Sequence, residues 1–587
     1  MPRDPGRAHA TLAAVQAPQS ITLDHEGVAN ESKHWVRLTA ACNSKCIFCL
    51  DAEAQDGRFM SFDDICVEVR RGREEKEASR LVVSGGEATI HPRFHDVVRY
   101  AKSQGYRWVQ TVTNGQRLAD RDFFLRAVAA GLDEITFSLH GHTPELHDRL
   151  TKTRNGFENL MRAMIRAVRD GRVIVNVDVC INRQNVEHLE AIVALCSRVG
   201  VREFDLLHVI PQGEAFEHRA ELFYDVDAHS EALRRVFRYA RVPGFHIWTN
   251  RFPVQHLEGL EELIQDPHKM LDEVGGRRVQ FRRYLDEGTP IDCRDARRCP
   301  HCFIEPFCST LDRHIARAHA GNFDEFAVGA DTALAVHAPP GVRWIGVSRL
   351  PDAPVGPLRI PASAVPPGST LPAGSRVVVE SAAELPAAKE LDVELELRLD
   401  RDFAAWLLEN PAMLDDRTVL HAPTRAKAGE SLARDPDWRG FFLALGRRVR
   451  VENLPACLAP GTQLERAPRR LDTHLFHADG RWQIDAFVDE YVESHYYAKS
   501  LRCSACPVAR SCRGQHLQAL RAHGFAQLQP LDGEWAIDAS AQLLAWPDNE
   551  PDPRLAAGAP PQAPPFRIPV PENRPVPFID TEAGRRS

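Results

Sequence analysis

Between residues 33 and 215, six short apolar segments alternate with amphipathic ones. The strand-like pieces are "WVRLTA", "RLVVSGGE", "WVQTVTNG", "EITFSLHG", "VIVNVDVCIN" and "EFDLLHVIPQG". The segments between them carry apolar residues at helical spacing, as in "DDICVEVRRGREEKEA", where Ser61 is placed to cap the helix, and "GFENLMRAMIRAVRDG". Strand–helix alternation of this kind predicts an α/β fold with a parallel sheet, because parallel neighbours need a crossover. Right-handed crossovers roll six such units into a partial (βα)6 barrel. Chemistry in such folds sits on the loops leaving the C-terminal ends of the strands. The loop after the first strand, "SGGE", "TNGQ" and "SLHGH" all hold that position, so they are expected on one face.

The chain of 587 residues exceeds one ordinary core, so about two to four domains are expected. The reading is a flexible leader at 1–32, the barrel at 33–220 and a mostly helical module at 221–327. An insert or connector with β-like pieces follows at 328–445, where Pro, Gly and Ala abound. A second module spans 446–545 and a proline-rich, disordered tail 546–587. The later modules are expected to be mixed α+β and to carry cysteine clusters. A net charge of −8 argues against a nucleic-acid partner. No apolar run reaches membrane-span length, and the leader lacks an apolar h-region. A cytoplasmic protein is the expectation.

In a reducing compartment fourteen cysteines do not read as a disulfide framework. Three lie in "AACNSKCIFCLDAEA" as C-x3-C-x2-C: Cys42, Cys46 and Cys49. Cys293, Cys299, Cys302 and Cys308 make one set of four, and Cys457 with Cys503, Cys506 and Cys512 a second. Cys66, Cys180 and Cys196 each fall in apolar patterns and read as small buried hydrophobes. Three thiolates on a cubane cluster leave one iron open. The competing reading is zinc, with a ligand borrowed from His34 or from farther away. Phe48 provides an apolar wall before the last cysteine of the loop. Gly85 and Gly86 permit close approach of a ligand to backbone, and Glu87 could hold an ammonium group. Ser138 and His140 offer hydrogen bonds at the end of the fourth strand. His147 with Asp148 could be an acid/base pair, but a structural role at the start of a helix fits that position better.

Taken together, Cys42-x3-Cys46-x2-Cys49 after the first strand, Phe48, and Gly85-Gly86-Glu87 after the second resemble the radical S-adenosylmethionine (radical SAM) superfamily. The resemblance covers residues 33–215. It implies a [4Fe–4S] cluster on the three cysteines, with the amino and carboxylate groups of SAM on the open iron. It also implies that the Gly85–Glu87 segment contacts the SAM amino group, with Ser138 at the ribose and Asn182 near the cofactor. Reductive cleavage of SAM would then give a 5′-deoxyadenosyl radical that takes a hydrogen atom from the substrate.

The C-x2-C-x5-C cores at 299–308 and 503–512 resemble SPASM and twitch modules, which implies two auxiliary [4Fe–4S] clusters. Structural zinc on the same thiolates is the alternative. A full SPASM core has a further cysteine where this chain has Asp312 and His516. The two cores also look like a repeat, since each reaches Arg-Ala-His nine residues past its last cysteine, at Arg317–His319 and Arg521–His523. The implied substrate is a peptide or protein side chain, with an electron donor such as flavodoxin or ferredoxin. The alternatives are small-molecule or cofactor biosynthesis and a non-catalytic metal-binding scaffold.

Overall fold

The structure is a computed structural model that describes residues 32–51, 55–544 and Arg567. The expected leader and tail lie outside the described residues, apart from Ser32 and Arg567. Two compact units are present. The first comprises the described residues up to Lys45, those from 55 to Asp178, and Ala194–Glu203. The second comprises Cys46 to Asp51, Val179–Val193 and everything described from Phe204 onward.

The first sheet has seven strands in sequential order. They are β1 (Lys33–Arg37), β2 (Arg80–Ser84), β3 (Trp108–Thr113), β4 (Glu134–Ser138), β5 (Ile174–Ile181), β6 (Glu203–His208) and β7 (His246–Asn250). β1 to β5 pair in parallel. The α/β class is as expected, but the strand count is not. β7 lies in a stretch read as helical, and its five residues "HIWTN" are too short and too polar to announce a strand.

The helices of the first unit start where side chains can satisfy their free amides. Ser61 accepts from Asp64 N at 3.1 Å and caps Phe62–Glu74. Asp120 accepts from Phe123 N at 2.7 Å and caps Arg121–Ala130. Thr143 caps Pro144–Thr151, with the proline in the first turn, where its missing N–H costs nothing. Each helix buries an apolar stripe, such as Leu160, Ala163, Met164 and Ala167 of Gly156–Asp170.

The second unit holds a larger surprise. The stretch read as an insert or connector at 328–445 belongs to a nine-stranded sheet that also runs through the expected boundary at 445. Its strands are β8 (Glu325–Gly329), β9 (Trp344–Val347), β10 (Leu358–Pro361), β11 (Arg376–Val379) and β12 (Glu394–Arg398). They continue with β13 (Thr418–His421), β14 (Arg450–Glu452), β15 (Gln463–Glu465) and β16 (Arg470–Asp472). Their order is β15-β14-β13-β12-β11-β10-β9-β8-β16, and the pairs are parallel. One face of this sheet carries buried charges among its apolar side chains. Glu325, Arg359, Arg376, Glu396 and Glu452 are all buried there. Arg359 Nε donates to Glu396 at 2.9 Å and Arg376 Nη1 to Glu452 at 2.8 Å. These charges broke the apolar pattern by which a buried parallel strand is recognised. Among the described residues no helix is long and apolar enough to cross a membrane.

Candidate functional site

In the first unit the turn after β2 is pressed onto the chain that leads into the cysteine loop. Gly86 N donates to Thr39 O at 2.8 Å and Glu87 N to Ala41 O at 2.9 Å. A Cβ on Gly85, where φ is +139°, would stand 2.4 Å from Thr39 O. One on Gly86 would stand 2.2 Å from Ala41 O. Both glycines are therefore required by backbone packing against Thr39–Ala41. Gly86→Ala is expected to push the Ala41 carbonyl aside, lower stability by about 1–3 kcal/mol and reduce metal retention at Cys42. Thermal melts paired with iron analysis check this; a melt and an iron content like wild type would refute it.

The Glu87 carboxylate is buried and already engaged. Its Oε1 accepts from Thr89 N at 3.1 Å and from Thr113 Oγ1 at 2.7 Å, and its Oε2 from Asn114 N at 2.7 Å. Burial pushes its pKa up and these donors oppose the rise. Glu87 thus binds the β2 turn to the β3 turn.

The β3 turn in its place holds the loop. Asn114 Nδ2 donates to Asn43 Oδ1 at 2.7 Å and to Ser44 Oγ at 3.1 Å, and Gln116 Nε2 reaches the same Ser44 hydroxyl at 3.1 Å. Ser44 N in turn donates to Cys42 Sγ at 3.4 Å. The position of "TNGQ" after a strand was legible, but the positioning roles of Asn114 and Gln116 were not, because they depend on a partner some 70 residues away.

Ser138 ends β4, half-buried, in register with Asp178 of β5. Asn182 follows the end of β5. It is fully buried, its Nδ2 donates to Cys180 O at 3.0 Å and its Oδ1 accepts from Gln184 N at 3.0 Å. These bonds shape the turn after β5. His34 also drops out as a metal ligand, since its ring lies under Gly72 of the helix Phe62–Glu74. His140 and His147 are buried, and burial lowers both; His147 falls to about 4. His147 Nδ1 accepts from His140 N at 3.2 Å, and Asp148 Oδ1 accepts from Phe157 N at 2.8 Å, so these residues shape their loop.

In the second unit, each C-x2-C pair is closed by the same tight turn. Cys49 N donates to Cys46 O at 3.1 Å, Cys302 N to Cys299 O at 3.0 Å and Cys506 N to Cys503 O at 3.0 Å. Cys457, Cys503, Cys506 and Cys512 line one cavity together with Lys499 and Gln529. Burial, and behind it the neighbouring thiols Cys512, Cys503 and Cys506, push the Cys457 thiol up to about 12. Thiols that penalise one another's ionisation are a set that a cation would relieve.

Cys308 sits in the first turn of Glu305–Ala320, and burial pushes its thiol up, with Cys302 and Cys293 adding to the rise. Arg294 opposes that rise, and its buried Nη1 has no hydrogen-bond partner among the described residues. A buried guanidinium donor left over beside thiols fits a negatively charged group held there. Among the described residues no three Cys, His, Asp or Glu side chains already converge as metal ligands. Cys457 and its three companions line a cavity instead.

Asp312 and His516, the two departures from a full core, each have structural partners. Asp312 accepts from Tyr284 Oη at 2.6 Å and pairs with Arg294 at 2.5 Å. His516 is buried, hydrogen-bonds Val492 O through Nε2 at 3.0 Å, and is lowered by burial to about 4. The apparent repeat is local. Both Arg-Ala-His segments lie on helices, but Cys308 is inside its helix while Cys512 precedes the short strand Gln515–His516.

Known proteins give the following comparisons. The family model of the radical SAM superfamily matches residues 36–196. A probable GTP 3′,8-cyclase of Saccharolobus islandicus (strain Y.N.15.51 / Yellowstone #2) is 31% identical over 179 residues, which is 30% of this chain and 57% of that protein. Mycofactocin maturase MftC of Mycolicibacterium smegmatis is 26% identical over 224 residues, 38% of this chain and 55% of that protein. The chain thus spans a little over half the length of these curated relatives. Among solved structures, Streptococcus suis SuiB bound to precursor peptide SuiA aligns with a TM-score of 0.33 at 14% identity, covering 42% of this chain and 55% of that one.

Proposed function

On the premise that residues 36–196 are a radical SAM domain, we propose that the protein is an enzyme that cleaves S-adenosylmethionine reductively at a [4Fe–4S] cluster held by Cys42, Cys46 and Cys49. The observation that carries this reading is the packing of Gly85–Gly86 onto Thr39–Ala41, inside the matched residues. A three-thiolate loop pinned to a glycine turn has one open iron site and a bare backbone beside its first cysteine. When bound, cluster and SAM supply a 5′-deoxyadenosyl radical. The chain's own part is positional. Asn114, Gln116 and Ser44 fix the loop, and Glu87 locks the two turns together. The backbone of Gly85–Gly86 is assigned to the SAM ammonium, and Ser138 to the ribose.

We assign an auxiliary cluster to each four-cysteine set, with structural zinc as the alternative. The substrate class we favour is a peptide or protein side chain, on the strength of the two C-x2-C-x5-C cores and the maturase relative. The cyclase relative, more similar in sequence over its match, keeps a small-molecule substrate as the second reading. A flavodoxin or ferredoxin would serve as electron donor, in a cytoplasmic setting.

The test is 5′-deoxyadenosine release from anaerobically reconstituted, reduced protein. Release supports the reading, and none beside a productive control overturns it. Stimulation by a peptide against stimulation by a nucleotide separates the two substrate classes. Metal analysis is expected to find about twelve irons per chain; about four irons with bound zinc would put zinc in the accessory sites.

A further inference from the structure

The loop after β6 joins two of the cysteine loops within the second unit. At Gly213, where φ is +52°, a Cβ would stand 2.4 Å from Cys49 O and 2.7 Å from Leu50 O. The next amide, Glu214 N, donates to Cys49 O at 3.0 Å. One residue earlier, the Gln212 side-chain oxygen accepts from Arg277 Nε at 2.9 Å and Nη1 at 3.1 Å, in the amide orientation that satisfies both partners. The same Arg277 Nη1 donates to Cys293 Sγ at 3.5 Å. A single guanidinium therefore touches a ligand of the first four-cysteine set and the turn on which Cys49 rests.

Its charge is available to those thiolates. The Arg277 side chain is only 11% exposed, so water screens it poorly. Glu273, the carboxylate paired with it at 4.0 Å, is shared with Arg251, which lies closer at 2.6 Å. Arg294, the other cation near this set, is bound to Asp312 at 2.5 Å. Arg277 is thus less compensated than Arg294.

We propose that Arg277 sets the reduction potential of the iron–sulfur cluster held by Cys293, Cys299, Cys302 and Cys308, and that Gln212 ties this setting to the Cys49 loop. The inference rests on the iron–sulfur reading of that site. Reduction adds one negative charge to the cluster. A cation donating to a ligand sulfur stabilises the reduced form more than the oxidised one and so raises the potential. Arg277 is a positioning residue in this account and touches no substrate.

The experiment is an EPR-monitored redox titration of the reconstituted full chain, with iron and zinc measured on each sample. The signal lost in Cys302→Ala identifies the cluster in question. Arg277→Met, which keeps the apolar stem, is expected to lower the midpoint of that signal alone at unchanged iron content. Arg277→Lys is expected to recover part of the shift, and Gln212→Leu to give a smaller shift in the same direction. An unmoved midpoint at full iron in Arg277→Met or Gln212→Leu overturns the proposal while leaving the iron–sulfur reading intact. Zinc in that site overturns both, and metal analysis tells the two failures apart.

Discussion

Replacing any one of Cys42, Cys46 or Cys49 with alanine is expected to reduce 5′-deoxyadenosine release to background, the largest effect foreseen for any single substitution here. Three thiolates are the fewest in this loop that leave a cubane with one open iron, and two leave it labile. Three of the chain's other candidate ligands are placed elsewhere, whereas Cys180, expected to be buried, is only half-buried. His34 is packed beneath Gly72, and Cys66 and Cys196 are buried in the core. The loss should be selective, with iron falling by about four per chain while the accessory sites keep their metal. Iron analysis beside product assay checks this, and residual turnover with full iron in Cys46→Ala would contradict the assignment.

The second large effect lies far from that loop. Glu396→Ala is expected to destabilise the nine-stranded sheet by about 3–5 kcal/mol, because it removes one partner from a buried ion network. Glu396 is fully buried, takes Arg359 Nε at 2.9 Å and Arg398 Nε at 3.2 Å, and shares Arg359 with Glu325 at 3.2 Å. Without it, Arg359 keeps Glu325 as its hydrogen-bonded carboxylate, with Glu452 acting from farther away. Glu396→Gln keeps the acceptor oxygen and should cost less. Denaturant unfolding followed by circular dichroism gives the comparison, and equal stability of the alanine variant and wild type would remove the network from the account.

The same carboxylate makes the sheet sensitive to acid. Burial works against the charge of Glu396, but Arg359 first, then His421 and Arg398, hold its pKa well below the usual range. Its unfolded value is near about 4.3. As pH falls below about 5, the unfolded chain takes up the proton before the folded one does. The stabilisation is therefore complete above the unfolded pKa and is lost as pH drops through the folded one. Wild type should lose more stability on acidification than Glu396→Gln, and parallel pH profiles for the two would contradict this.

How far the sequence could be read depends on the element. In the first sheet, strands such as "RLVVS" and "EITFS" are apolar enough to declare themselves, and Ser61 caps its helix as its type and place imply. The cysteine spacings were equally plain, since C-x2-C closes a turn by local geometry alone. The second sheet was hidden for the opposite reason. "LRIP" and "ELELR" place Arg359, Glu394 and Glu396 on one face, where their charges cancel only across strands. No window along one strand contains that cancellation. The turn-closing bonds of Asn182 to Gln184 N and Cys180 O were not legible, because an Asn after a strand can face a ligand, close its own turn or do both. Arg277 carried no motif; its importance arises from Gln212 and Cys293, which are 65 and 16 residues away in the chain.

The placement of β16 beside β8 governs the order in which a nascent chain can mature. Asp324 at the head of β8 is held by Arg466 and Arg469, 142 and 145 residues later. At about 5–20 residues per second of synthesis, one edge of β8 waits roughly 7–30 s for its neighbour. Cys293 to Cys308 leave the ribosome before β8 does, so the first four-thiol set is complete before the second sheet begins. Cys457 follows β14, and its three companions follow β16. The second set can be filled only once the sheet's last strand exists. The topology itself separates completion of the two sets in time: a chain stopped between residues 472 and 503 has all four cysteines of the first set, while Cys457 still lacks its three companions.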